Sequence, residues 1–222
     1  MKKIVFGIAM SASLMLSAQI DFRSTRYGIT GGATYSRVSN AHNPSGARYS
    51  VYGGLLAVIP IDSSDQFYIQ PEVEYLGAGE SGKDKNAKNS PDYNAIYGNS
   101  YISVPIYFKG FFSEAESEFF AMAGPKFNFL IGQTIKNAPQ RYTVEGQVIN
   151  GELVHGKAAS FNFALGFGLG YSYKRKLELT GRYDFGLSNT YPGLMKDLVK
   201  DPNLAKKKSE QVLSVGLSYI FD

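Results

Sequence analysis

The sequence predicts an all-β fold, an eight-stranded antiparallel up-and-down transmembrane β-barrel. Three observations predict it. Eight stretches alternate apolar and polar residues with the period of two that sends successive side chains to opposite faces of a strand. The polar faces carry charges that a soluble core would not bury, so the large apolar faces read as the ones turned to lipid. The connections alternate long and short without exception, which gathers every long loop at one end.

The chain has 222 residues and opens with Met1, Lys2 and Lys3, an apolar run from Ile4 to Leu16, then Ser17 and Ala18. This is the form of a secretory signal peptide, and its apolar run is shorter than the roughly 20 residues a spanning helix needs. Cleavage is expected after Ala18, with Leu16 larger than the small residue usual at that position. Residues 1–18 are therefore read as signal and residues 19–222 as one barrel domain. Without Lys2 and Lys3 the balance is 21 basic to 19 acidic residues, which gives no basic face for nucleic acid. There is no Cys, hence neither a disulfide framework nor a lipidated anchor. Mean hydropathy is −0.17, as expected where every second strand residue is polar.

Strands are expected at Arg26–Val38, Tyr49–Pro60, Phe67–Gly79, Tyr97–Phe111, Glu118–Gly132, Ala158–Tyr173, Lys176–Asn189 and Gln211–Phe221. The seventh is the clearest: Leu177, Leu179, Tyr183 and Phe185 interleave with Glu178, Thr180, Arg182 and Asp184. The sixth and eighth carry large groups outward (Phe161, Phe163, Leu165, Phe167, Leu169; Leu213, Val215, Leu217). Their inward partners are small, such as Ala164, Gly166, Gly168, Ser214 and Gly216, as suits a narrow lumen. Tyr27, Tyr35, Tyr171, Tyr173, Tyr183, Tyr191 and Tyr219 fall near strand ends and read as interfacial girdles. Pro71, Pro105 and Pro125 lie inside strands of a sheet without free edges, so bulges or strand ends are expected there.

The segments Tyr68-Ile-Gln-Pro-Glu-Val-Glu-Tyr75, Tyr101-Ile-Ser-Val-Pro-Ile-Tyr-Phe-Lys109 and Ala123-Gly-Pro-Lys-Phe-Asn-Phe-Leu-Ile131 follow in succession. Phe163–Tyr171, Gly181–Asn189 and Val215–Phe221 complete the ordered set. Together they resemble the outer-membrane β-barrel domain family, often labelled "porin family" or PorT-like. The resemblance implies the outer membrane of a Gram-negative bacterium and no shared catalytic activity. It implies contact with lipid and lipopolysaccharide, and an insertion signal at Tyr219 and Phe221 read by the barrel insertion machinery. Asp222 after the last aromatic departs from that pattern. One branch, the PorT-like proteins, assists an outer-membrane secretion system.

Alternation places Glu72, Glu74, Lys109, Lys126, Asn128, Glu178, Arg182 and Asp184 on the lumen side. The mixture reads either as a selectivity constellation or as an ion-paired plug, and a bore of eight strands favours the plug. No catalytic, cofactor or metal residues are expected. A lipid A-modifying enzyme would need a Ser/His/acid set, whereas His42 and His155 fall in loops and read as solvated. A soluble lipocalin-type carrier would need the two faces reversed. Lys196, Lys200 and Lys206–Lys208, with Leu194, Leu198 and Leu204, form a basic amphipathic stretch in the last long loop. Contact with anionic lipopolysaccharide and a solvated loop are its two readings. The hydrophilic segment 80–99 is a candidate adhesion surface. The role expected is structural, adhesive or weakly pore-forming.

Overall fold

A computed structural model of the chain describes residues 22–196 and 206–221. The expected signal segment and Leu198, Lys200, Leu204 and Asp222 lie outside the described residues. Eight strands close into an antiparallel barrel: β1 (Arg26–Val38), β2 (Gly46–Pro60), β3 (Phe67–Ser81), β4 (Ile96–Phe111), β5 (Glu118–Lys136), β8 (Phe161–Tyr173), β9 (Leu177–Gly186) and β10 (Glu210–Ile220). Each pairs with its neighbour in sequence, and β1 pairs with β10 to complete the ring. A separate two-stranded hairpin, β6 (Gln147–Ile149) with β7 (Glu152–Val154), rises from the β5–β8 connection.

Most of the large apolar residues of the strands point outward. Leu179, Val215, Leu217, Leu169 and Leu55 are all more than half exposed on the outer wall, while their strand neighbours Thr180, Ser214, Ser218 and Glu178 are buried. A wall this greasy facing out, with charge facing in, inverts a soluble protein and satisfies every strand edge by closure. The girdle tyrosines lie outward as expected except Tyr191, which is fully buried in the β9–β10 connection.

The prolines correct one expectation. Register is the same on both sides of Pro71, Pro105 and Pro125, so none sits in a bulge. Instead the ladder is interrupted three times: Ala57 and Val58 opposite Gln70 and Pro71, Glu72 and Val73 opposite Val104 and Pro105, and Ile106 and Tyr107 opposite Gly124 and Pro125. A residue without an N–H forfeits a bond to one neighbour only, and the sheet runs on around each gap. The register shifts fall elsewhere, in β2 between Ala47 and Tyr52, and at Ile131 of β5.

β2 to β5 contain 15, 15, 16 and 19 residues, whereas β9 and β10 contain 10 and 11. Roughly 9–11 tilted residues cross a bilayer, so the longer strands raise one wall beyond it at the long-loop end. The opposite end is closed by short turns. In the tightest, Lys174 and Arg175 both adopt the left-handed conformation (φ 52° and 54°) that a two-residue hairpin requires. Arg175 offsets that strain by tying three turns together. Its guanidinium donates to the carbonyls of Ala115 (2.8 and 3.0 Å), Ser113 (3.0 Å) and Asp65 (3.3 Å), and lies 3.5 Å from the Phe111 ring centre.

Candidate functional site

The interior is filled in three tiers. Nearest the short turns, Tyr68, Phe111, Phe120 and Met122 pack across the bore. Gly170 admits Phe120, since a Cβ there would stand 2.3 Å from its ring. The larger lumen residues are thus fitted against the glycines of β8, and the bore holds more aromatic bulk than a small-inside pattern suggests.

The middle tier is ionic. Arg182 of β9 grips Glu72 of β3 with both terminal nitrogens (2.7 and 2.9 Å) and reaches Glu74 at 3.5 Å. Lys126 of β5 bridges Glu74 and Asp184, each at 2.8 Å. Lys109 of β4 meets both oxygens of Glu178 at 2.6 Å and Gln70 at 3.0 Å, and Gln70 donates to Glu72 at 2.7 Å. One connected web therefore ties β3, β4, β5 and β9. All seven charged residues are at most 3% exposed. Bidentate and shared geometry of this kind is what charges removed from water require. Tyr52 and Tyr107 flank the Arg182 guanidinium at 5.4 and 5.3 Å. Beside the web, Ser103 donates to Asn128 at 2.6 Å.

The upper tier lies at the long-loop end. Asn99 donates to the Tyr191 hydroxyl (3.1 Å) and to Glu210 (3.4 Å), and Asn162 to the Tyr101 hydroxyl (3.4 Å). His42 corrects the expectation of a solvated loop: it is 6% exposed and folded into the mouth against Glu80, Tyr97, Tyr142 and Tyr191. His155 lies between β7 and β8, where its Nδ1 accepts the Lys157 N–H at 3.3 Å.

The structure thus brings together Glu72, Glu74, Lys109, Lys126, Glu178, Arg182 and Asp184. Tyr219 and Phe221 stand apart on the outer wall, edge to face at 5.7 Å. Sequence reasoning missed the lumen aromatics Tyr52, Tyr68, Tyr101, Tyr107, Phe111 and Phe120, and the whole upper cluster. Strand parity holds the signal for part of this: Tyr101, Ser103, Tyr107 and Phe111 share a face of β4 with Lys109. Among the described residues, no group of three or more His, Cys, Asp or Glu could hold a metal ion.

A closed antiparallel ring with an apolar exterior and an ion-paired interior defines a transmembrane β-barrel. The family model of the outer membrane protein beta-barrel domain matches residues 12–191, and the chain belongs to that family. It is a bacterial outer-membrane barrel. No curated protein matches its sequence. Similar solved structures include Ail, the attachment invasion locus protein of Yersinia pestis, in complex with the heparin analogue sucrose octasulfate (12% identity, 89% of this chain and 99% of that one, TM-score 0.43). Neisserial surface protein A (14%, 88% and 97%, 0.43) and a major outer membrane protein of Thermus thermophilus (13%, 89% and 100%, 0.47) are others. At these identities the likeness is one of fold alone.

Proposed function

We propose that this chain is a non-catalytic outer-membrane barrel, closed to ion flow, whose working part is its long-loop end, in a structural or adhesive role. The observation that carries the reading is the filled lumen: seven buried charges paired in one web, with aromatic tiers above and below. In barrels of this class the short turns face the periplasm and the long loops the exterior. The proposal includes a Gram-negative host, removal of residues 1–18 on export, and an insertion signal at Tyr219 and Phe221 for the barrel machinery. It also includes contact of the exposed Lys206 and Lys207 with lipopolysaccharide, whereas Lys208, the third lysine of that run, is buried and donates to the Lys206 carbonyl at 2.8 Å.

Absence of catalysis is supported at His42. Glu80 accepts from Ser45 at 2.7 Å and also holds His42, so the serine bonds the acid and not the imidazole, the reverse of a nucleophile–base contact. The ordered motif set also supports a second reading, an accessory of a PorT-like secretion system, which co-purification with outer-membrane secretion components would bear out.

The test uses the cysteine-free background. Ser103 is wholly buried in the lumen, and Ser103→Cys in sealed proteoliposomes should resist a water-soluble maleimide from both sides. Rapid labelling from either side would mean a hydrated passage and would sink the reading.

A further inference from the structure

The β1–β2 loop, residues 39–45, turns its tip into the barrel mouth. The His42 imidazole lies flat on Tyr97, ring centres 3.5 Å apart and planes 5° apart, with Tyr142 and Tyr191 edge-on at 4.8 and 4.9 Å. Its Nδ1 meets one oxygen of Glu80, and the other oxygen takes the Ser45 hydroxyl (2.7 Å) and the Val38 N–H (3.4 Å). The walls come from separate elements: Tyr97 from β4, Tyr142 from the 3-10 turn Gln140–Tyr142, Tyr191 from the β9–β10 connection and Glu80 from β3. The imidazole is their guest, carried on a loop.

The guest fits imperfectly. His42 Nε2 is buried and has no hydrogen-bond partner. A buried donor or acceptor left unmade weakens the fit of whatever carries it. What the box asks for is a flat ring or plane to stack on Tyr97 and an N–H aimed at a carboxylate. Further charge around it is mixed, with Glu210 beyond Tyr191, Arg48 bonded to the Ala78 carbonyl (2.7 Å) and Arg141 4.7 Å from the Tyr142 ring centre. Aromatic faces beside a carboxylate favour a delocalised cation over a neutral ring.

We propose that this box is a binding site for flat nitrogen cations, imidazolium or guanidinium, and that His42 is its tethered resident. A cation of this kind fits the place of the His42 ring between Tyr97 and Glu80, and the β1–β2 loop closes over whichever ring fills it. The site depends on the fold and not on a closed lumen, so a conducting barrel would leave it standing.

The chain has no cysteine, so Ala41→Cys is a unique reporter. Ala41 is 6% exposed and packs with Val38, Tyr97, Tyr142 and Tyr191. In the refolded full chain, Ala41→Cys should react slowly with a water-soluble maleimide, and Ala41→Cys with His42→Gly at least about tenfold faster, the factor that corresponds to about 1.4 kcal/mol of lost closure. Imidazole at pH 6, mostly protonated there, should return the glycine variant to the slow rate with saturation, while cyclopentanol should not. Acetyl-arginine amide is the second probe: protection by it assigns the site to a partner's side chain, and protection by imidazole alone to a small free cation. Adding Glu80→Gln should abolish protection. Should His42→Gly not refold, as judged by the mobility of an unheated gel sample, His42→Ala takes its place. Equal labelling with and without His42, or a fast rate that neither cation slows, would overturn the proposal.

Discussion

Replacing Lys126 by Met tests the ionic web where it is most connected. The ammonium stands 2.8 Å from both Glu74 and Asp184, and its side chain is 2% exposed. Its loss leaves Asp184 without the cation and leaves Glu74 with only the longer 3.5 Å contact to Arg182. Breaking a buried pair by removing one partner costs about 3–5 kcal/mol, because the remaining charge stays out of water. At about 1.4 kcal/mol per decade that is a loss of roughly two to three and a half decades in the folding equilibrium. The chain has no Trp, so the assay is urea unfolding in detergent micelles followed by the mobility difference between folded and unfolded bands on an unheated gel. The neutral set Lys126→Met, Glu74→Gln and Asp184→Asn should recover most of the loss, since polar groups of similar shape replace stranded charges. A cost below about 1 kcal/mol for Lys126→Met, the scale of a screened surface pair, would show instead that water fills the lumen and screens the web.

Val215→Arg, at the middle of β10 on the outer wall between Ala33 and Gly181, should cost about 2–4 kcal/mol in a bilayer, whereas Thr180→Ser on the lumen face should cost under about 1 kcal/mol; equal costs in lipid refolding titrations would reverse the inside and outside faces. Arg175→Ala should loosen the three short turns that its guanidinium ties together, seen as faster protease cleavage within residues 61–66 and 112–117, while loops at the other end stay unchanged. In the β2–β3 turn, burial pushes the Asp62 carboxyl up, but hydrogen bonds from Ser64 and the Phe67 N–H (3.0 Å) outweigh it and hold the group below the usual carboxylate range. A depressed folded pKa contributes stability above the ordinary carboxylate value, about pH 4, and loses it as the pH falls through the folded value. Protection of the Phe67 amide from exchange should therefore drop below about pH 4, and Asp62→Asn should remove that dependence.

Where the chain crosses the membrane, alternation leaves little open. β1 runs from Arg26 to Val38 as its pattern predicts, and the parity that turns Leu179 outward turns Arg182 and Asp184 inward. The strand ends are less legible because they are set by loops: β8 begins at Phe161, where its neighbours Phe163 and Ala159 bond to Ser188 and Thr190 of the next connection. The β6–β7 hairpin carries only a local signal. Asn150 and Gly151, both in the left-handed region (φ 51° and 84°), form the pair that a tight hairpin favours, but flanking strands of three residues are too short to show a period. In the lumen, parity names Tyr101 and Tyr107 as readily as Lys109, and only the assumption of a bore too narrow for aromatics hides them; Gly166 and Gly170 supply the room. The His42 box has no periodic signature at all. It is assembled from four segments separated by tens of residues, and a lone loop histidine gives no sign of the tyrosines that will surround it.

Charge and aromatic rings fill this barrel from end to end. Single-channel recording of the refolded chain, residues 19–222, in a planar bilayer tests it most directly, with a parallel unheated gel lane to show that the barrel is folded. A filled lumen should leave the protein folded and electrically silent across the voltage range. Discrete, reproducible unitary steps from the pure chain would contradict it and make Arg182, Lys126 and Glu74 the lining of a pore.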